Sequence, residues 1–225
     1  MTLDEIVAEV LSHQFAAGQY TDYLMGTGSY GEGIVTQAQN YVAAQTDFRE
    51  LFTAVTTTLS AGTEDLTLPT DFSRLYSLVC VGSTGQENIA LRQITPSDFD
   101  ALSNDSTGRP YFYDVNGDTL SVYPTPDASY DIQLRYWKVP AALTVGTDEP
   151  EISPVYHHLL VSYSLVKCFE RENDYDAAMY HQSRFDTELM KCRGEVQYDT
   201  NDKTQPRVAA GMWNPPETVL TVWSQ

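Results

Sequence analysis

Chemistry in this chain would have to begin with His157 and His158, because imidazole ligates zinc and titrates near neutrality. Adjacent residues on a helix point roughly 100° apart, so the two cannot share one ion cleanly. His181 is a feasible second ligand for His157 from a neighbouring helix, although surface or packed histidines are the commoner outcome. No HExxH, CxxC or DxDxDG pattern accompanies them. Cys80, Cys168 and Cys192 form an odd set and read as reduced, packed thiols. Cys168 and Cys192 could meet between two helices, but a structural disulfide is the less favoured reading. There is no GxSxG elbow, and no cysteine sits in a recognisable Cys/His setting. Carboxylates are so numerous that any pair could be nominated as acid and base, which makes each nomination uninformative. The run "GTGSYG", residues 26–31, matches a phosphate-cradling loop superficially. It lacks a preceding strand and a nearby base. The expectation is therefore a protein without catalytic residues, cofactor or metal ion, and not an enzyme.

The elements that would carry these residues begin with a helix. Thr2 and Glu5 have capping-box spacing, and Leu3, Ile6, Val7, Val10 and Leu11 recur at helical period. Residues 16–33 read as a Gly- and Tyr-rich loop. A second helix is expected from Ile34 to Phe52, with Val35, Ala38, Val42 and Phe52 buried. From residue 53 the period becomes two: "AVTTTLSAGTEDLTLP" is strand, Gly turn and short strand. "FSRLYSLVCVG", "IALRQIT" and "YFYDV" are further strands, and Thr95 with Pro96 starts a short helix. The stretch Gly117–Pro140 alternates so regularly that it predicts a β-hairpin. Leu120, Val122, Tyr130, Ile132, Leu134 and Tyr136 would face inward; Asp131, Gln133, Arg135 and Trp137 would face outward.

After a linker, Ser153 and Pro154 open a helix that is apolar round much of its circumference and so belongs at the centre. A second helix restarts at Asp174, with Tyr175, Ala178, Met179, Phe185 and Leu189 as its buried stripe. The two form an αα-hairpin joined at "END". Beyond Val196 periodicity fades, while Met212, Trp213, Val219, Leu220, Val222 and Trp223 are too apolar for a solvated tail. The fold class expected is α+β. A helical core, residues 1–52 and 141–196, carries an inserted antiparallel sheet, residues 53–140, and an extended arm, residues 197–225.

With 42% hydrophobic and 12% aromatic residues the chain is a folded protein, and no apolar run suffices for a membrane span. The start "TLDEIVAEV" is acidic, unlike a signal peptide, so a soluble protein that stays where it is made is expected. The net charge of −18 repels phosphate backbones and opposes nucleic-acid binding. It would suit a surface past which DNA slides without sticking, and equally serves solubility.

The order of three phrases adds to this reading. "LPTDFSRL" closes a strand, "YPTPD…LRYW" is followed by Pro-Ala-Ala-Leu, and the "YHHLLVSYSL" helix precedes an Asp- and Ala-rich helix start. In that order, over residues 1–195, the chain resembles the head-to-tail adaptor (connector) proteins of tailed bacteriophages. The resemblance implies a structural virion protein that forms a ring, dodecameric in the family. Such a ring docks beneath the portal protein, gives tail, neck or stopper proteins their platform, and lets DNA pass through its lumen. It implies a place in the virion neck after assembly in the bacterial cytoplasm. A ring needs sticky surfaces, for which the candidates are Arg135 and Trp137 toward a neighbour and the six apolar arm residues toward portal or neighbour. Asp4, Glu5 and Glu9 are candidates for an acidic channel lining. The other reading is a tail accessory module binding carbohydrate or protein, with Tyr111, Tyr113, Tyr123 and Trp137 as a stacking platform.

Overall fold

The computed structural model describes residues 1–13, 15, 17–27, 32–82, 87–102 and 106–204. The chain is α+β. The first helix, α1 (Leu3–Leu11), carries the capping box: the Glu5 N–H donates to the Thr2 hydroxyl, and the Thr2 N–H donates to the Glu5 carboxylate at 3.0 Å. Its first-turn N–H groups are also satisfied from a distance. Leu3 donates to the Asp148 carbonyl at 2.8 Å and Asp4 to that of Gly146 at 2.9 Å.

The segment expected as a loop contains a helix, α2 (Ala17–Met25). Tyr20 and Leu24, four residues apart, are both buried, and the Tyr20 hydroxyl bonds to Glu172. Tertiary burial outweighs the propensity cost of Gly18, about 1 kcal/mol in a helix. Helix α3 (Ile34–Gln45) packs its first turn so closely on α2 that a Cβ on Gly33 would lie 2.5 Å from the Leu24 carbonyl oxygen. The helix stops well short of Phe52. Thr46 turns extended, Phe48 and Leu51 are buried, and Phe52 begins a strand with its ring exposed, contrary to the expected buried position.

The β region holds two four-stranded sheets. One has the order β1 (Phe52–Leu59), β8 (Tyr130–Lys138), β3 (Phe72–Val81), β4 (Ile89–Ala90). The other runs β2 (Asp65–Thr67), β7 (Thr119–Tyr123), β6 (Phe112–Asn116), β5 (Arg92–Gln93), with β5 and β6 parallel. The expected hairpin of Gly117–Pro140 is thus corrected: β7 and β8 belong to different sheets. Alternation reports which side of a strand is apolar and is silent about its partner. The inward residues are as expected, since Leu120, Val122, Ile132, Leu134 and Tyr136 share one core cluster drawn from both sheets. The tight turn after β6 uses Gly117 at φ +60°, and Thr95 caps the short helix α4 (Pro96–Asp100).

Helices α5 (His157–Glu172) and α6 (Tyr175–Thr204) complete the helical core, joined by Asn173 in the left-handed region at φ 61°. The Asp174 carboxylate caps α6 through the Ala177 N–H. Ala178, Phe185, Leu189 and Cys192 form its buried stripe. Tyr175 and Met179 do not belong to it; they lie roughly 60–100° round the helix and are exposed. Helix α6 runs on to Thr204, past Val196. The three cysteines are free and buried.

Between the two cores, the chain after β8 crosses α3 in extended form. Gln39, fully buried, donates to the Ala141 carbonyl at 2.9 Å and accepts the Glu151 N–H at 3.0 Å. The Thr36 hydroxyl accepts the Leu143 N–H at 3.1 Å. The Glu151 carboxylate takes the Ala141 N–H at 3.0 Å and the Lys138 ammonium at 2.8 Å. Gln39→Leu keeps the volume but leaves the part-buried Ala141 carbonyl and Glu151 N–H without the side chain that pairs them. It should lower unfolding stability by about 1–2 kcal/mol, read as a fall in urea midpoint at unchanged slope. An unchanged midpoint would show that the clamp contributes nothing.

Candidate subunit interface

The outer face of the β1–β8–β3–β4 sheet is built by register. Phe52 of β1 and Arg74 of β3 both stand opposite Trp137 of β8. The Phe52, Tyr76 and Trp137 rings meet pairwise with centroids 5.3 Å apart, inclined at 61–90°. These are edge-to-face contacts, which suit ring quadrupoles. The Arg74 guanidinium lies 4.5 Å above the Trp137 ring and pairs with Asp47. Trp137 is half-buried and also touches the helical core, whereas Tyr76 is 49% and Phe52 38% exposed. Arg135 is exposed beside them, donating to Gln133 at 3.2 Å. The arrangement is an aromatic surface edged with two guanidinium groups on an otherwise acidic chain.

Of the residues singled out from sequence, Arg135 and Trp137 are therefore together on one face. Phe52, Tyr76 and Arg74 were missed, because only the strand register reveals that they adjoin Trp137. Asp4, Glu5 and Glu9 share the exposed side of α1. Glu5 is engaged by the capping box, and the Asp4 carboxylate lies so close to Gly146 that a Cβ there would push it aside. Met212, Trp213, Val219, Leu220, Val222 and Trp223 lie outside the described residues, as does most of "GTGSYG". The four residues of the stacking platform do not come together. Tyr113 is buried in the sandwich core, Tyr111 and Tyr123 are on or beside the β2–β7–β6–β5 sheet, and Trp137 is on the other.

A second exposed apolar surface runs along α6. Tyr175, Met179, Tyr180 and Met190 are 61%, 72%, 66% and 71% exposed, with Asp186 among them. The Tyr175 hydroxyl donates to Asn173 at 3.3 Å and the Tyr180 ring meets His181 edge-on, while Met179 and Met190 offer bare apolar surface.

The histidines have separate partners. His157 is buried, with Nε2 3.0 Å from the Ile152 carbonyl and Nδ1 3.1 Å from the Met1 nitrogen. Nε2 therefore carries the proton and donates. His181 stacks on Phe169 and meets the edge of His13 at 6.0 Å. Among the described residues no group of three or more His, Cys, Asp or Glu is placed to hold a metal.

Together the fold and this face define the class: an α+β protein whose helical core carries a two-sheet unit offering aromatic, cationic surface. The SU10 adaptor protein family model matches residues 1–210. The chain belongs to that family, which bears out the resemblance to phage head-to-tail adaptors. No curated protein matches it. Among the described residues no helix is long and apolar enough to cross a membrane.

Burial pushes the pKa of both His157 and His181 below the ordinary 6.5, and at His181 the charges of His13 and Arg184 add to the effect. The unfolded chain then binds protons that the folded chain refuses, so stability falls as pH drops below about 6.5. Urea midpoints between pH 7.5 and 5 should decline more in the wild type than in a His157→Gln, His181→Gln variant. Parallel curves would refute this.

Proposed function

We propose that the chain is a structural virion protein: a ring-forming head-to-tail adaptor that docks beneath the portal, joins capsid to tail and surrounds the DNA channel. The observation that carries this reading is the family match across residues 1–210. In the same reading the helical core spans residues 1–52 and 141–196, the β insertion 53–140 and the arm 197–225. The arm's Met212, Trp213, Val219, Leu220, Val222 and Trp223 contact portal or a neighbouring subunit, and tail or neck proteins bind below. DNA passes the lumen without sequence-specific binding; Asp4, Glu5 and Glu9 line the channel and keep phosphates from sticking. The finished ring sits in the virion neck after assembly in the host cytoplasm and needs no cofactor.

A cyclic ring requires two different complementary surfaces on each copy. The Phe52–Tyr76–Trp137 face with Arg74 and Arg135 is one. The α6 stripe, with exposed methionines and Asp186, is the other, apolar against apolar and acid against guanidinium. Electron cryo-microscopy of the purified neck tests the whole reading, and a neck without this chain would end it. The interface has its own test. Tyr76→Asp and Met190→Glu variants should each fail to close rings. Mixed together they should form one-to-one pairs, since each retains the surface the other lacks. Sedimentation would reveal this; rings from either variant alone, or a mixture without pairs, would overturn the pairing.

A further inference from the structure

The sheet edges of this protein are unequal. Three are made by strands of two or three residues: β4 is Ile89–Ala90, β5 is Arg92–Gln93 and β2 is Asp65–Thr67. Short and charged edges are how soluble proteins avoid pairing with other chains. The fourth edge, β1, is eight residues long and reads FTAVTTTL. It has no charge, no proline and no bulge, and its register with β8 runs unbroken from Phe52 to Leu59. By contrast β3 carries two register shifts against the same strand. Among the described strands β1 pairs with β8 alone. Val55 points to the core side, opposite buried Leu134, yet is 38% exposed, and among the described residues no strand pairs along its other side.

We infer that β1 is a strand-accepting edge and that residues 218–224 of the same chain, TVLTVWS, occupy it in the free subunit. The segment is uncharged, β-branched and alternating, like β1 itself. Laid beside β1, it would put Leu220 and Val222 on one side and Val219 and Trp223 on the other. Val55 and Phe52 stand on the corresponding two sides of β1. Backbone hydrogen bonds along the edge would supply the affinity, and the side-chain alternation the register.

The position of α6 makes the same chain the natural donor. Glu195 and Val196 line a cleft with Phe48, Arg49 and Glu50, the residues leading into β1, and the Tyr156 hydroxyl donates to Glu195 at 2.9 Å. From Val196 the helix adds about 12 Å to Thr204. Residues 205–217 can then span up to about 45 Å, several times the roughly 12 Å by which the helix moves away from that cleft. A tether of that length holds the segment at millimolar-scale effective concentration. The family match ends at residue 210, short of this segment. The contact would cover both the open edge and Val219, Leu220, Val222 and Trp223 of the arm until the chain meets its assembly partners. It concerns the isolated subunit and holds or fails whether or not the ring forms.

Hydrogen exchange on the full-length chain tests it. In the wild type, outward amides of residues 53–59 should exchange about tenfold more slowly than in a Leu220→Pro, Val222→Pro variant. Unchanged exchange of α5 in that variant confirms that the fold is intact. Reciprocally, Val55→Lys, which plants a charge at the edge, should speed exchange across residues 218–224 by a similar factor. Equal exchange of the edge amides in wild type and proline variant would overturn the inference. So would protection that grows with protein concentration, since the donor would then be a second copy.

Discussion

An extended chain cannot cross a helical core unless its backbone polar groups find partners, and here α3 and one carboxylate provide them. Thr36 and Gln39 are buried polar residues on an otherwise apolar helix face, and both spend their hydrogen bonds on residues 141–151. Glu151 closes the circuit by taking the Ala141 N–H and the Lys138 ammonium. The clamp fixes where β8 ends, and hence where Trp137 stands against the helical core. It also sets the path into residues 144–148, whose carbonyls receive the first N–H groups of α1. The Asp148 carboxylate holds that turn by accepting the Thr144 and Val145 N–H groups, which keeps its carboxyl below the usual range. Two hydrophobic cores that share few residues are thereby joined through satisfied polar contacts, whose cost if broken is larger than their net gain when made.

Local signals in the sequence translated well wherever the chemistry was local. The Thr2–Glu5 box, the Thr95–Pro96 start, the Asn-Gly turn and the inward residues of β7 and β8 each depend on neighbours a few positions away. The misreadings all concern tertiary choice. Helix α2 forms because Tyr20 is buried and its hydroxyl finds Glu172, 152 positions distant. Strand β8 chose β1 and β3 over β7, which alternation could not indicate. Phe52 became an exposed strand residue because Phe48 and Leu51 anchor the chain just before it. The candidate face was half legible for the same reason. Arg135 and Trp137 lie on a recognisably alternating strand, but Phe52, Tyr76 and Arg74 join them only through pairing register.

The exposed face of β8 shows how one tryptophan serves two purposes. Its ring is walled by Phe52 and Tyr76 and covered by Arg74, so its indole stabilises the sheet's own corner. Those same neighbours stay substantially exposed and leave the outer rim of the cluster available. Arg74 is itself tied to Asp47, just past the end of α3, which holds the guanidinium in place over the ring. A planar cation stacked in this way is already ordered, so less side-chain entropy remains to be lost when a partner arrives.

Net charge and exposed apolar area have to be weighed together. A chain carrying −18 repels its own copies, yet it leaves Tyr175, Met179, Tyr180 and Met190 exposed on α6. At physiological salt, charge repulsion fades beyond about 8 Å, while apolar burial acts only at contact. Random encounters between acidic surfaces are therefore discouraged before the apolar patches can touch. In the proposed ring, bringing the guanidinium-edged face of one copy toward the α6 stripe of the next would lower the repulsion on the way in. Charge of this kind acts less as glue than as a filter on geometry, and it lets a chain keep large apolar surfaces exposed without surrendering them to the first collision.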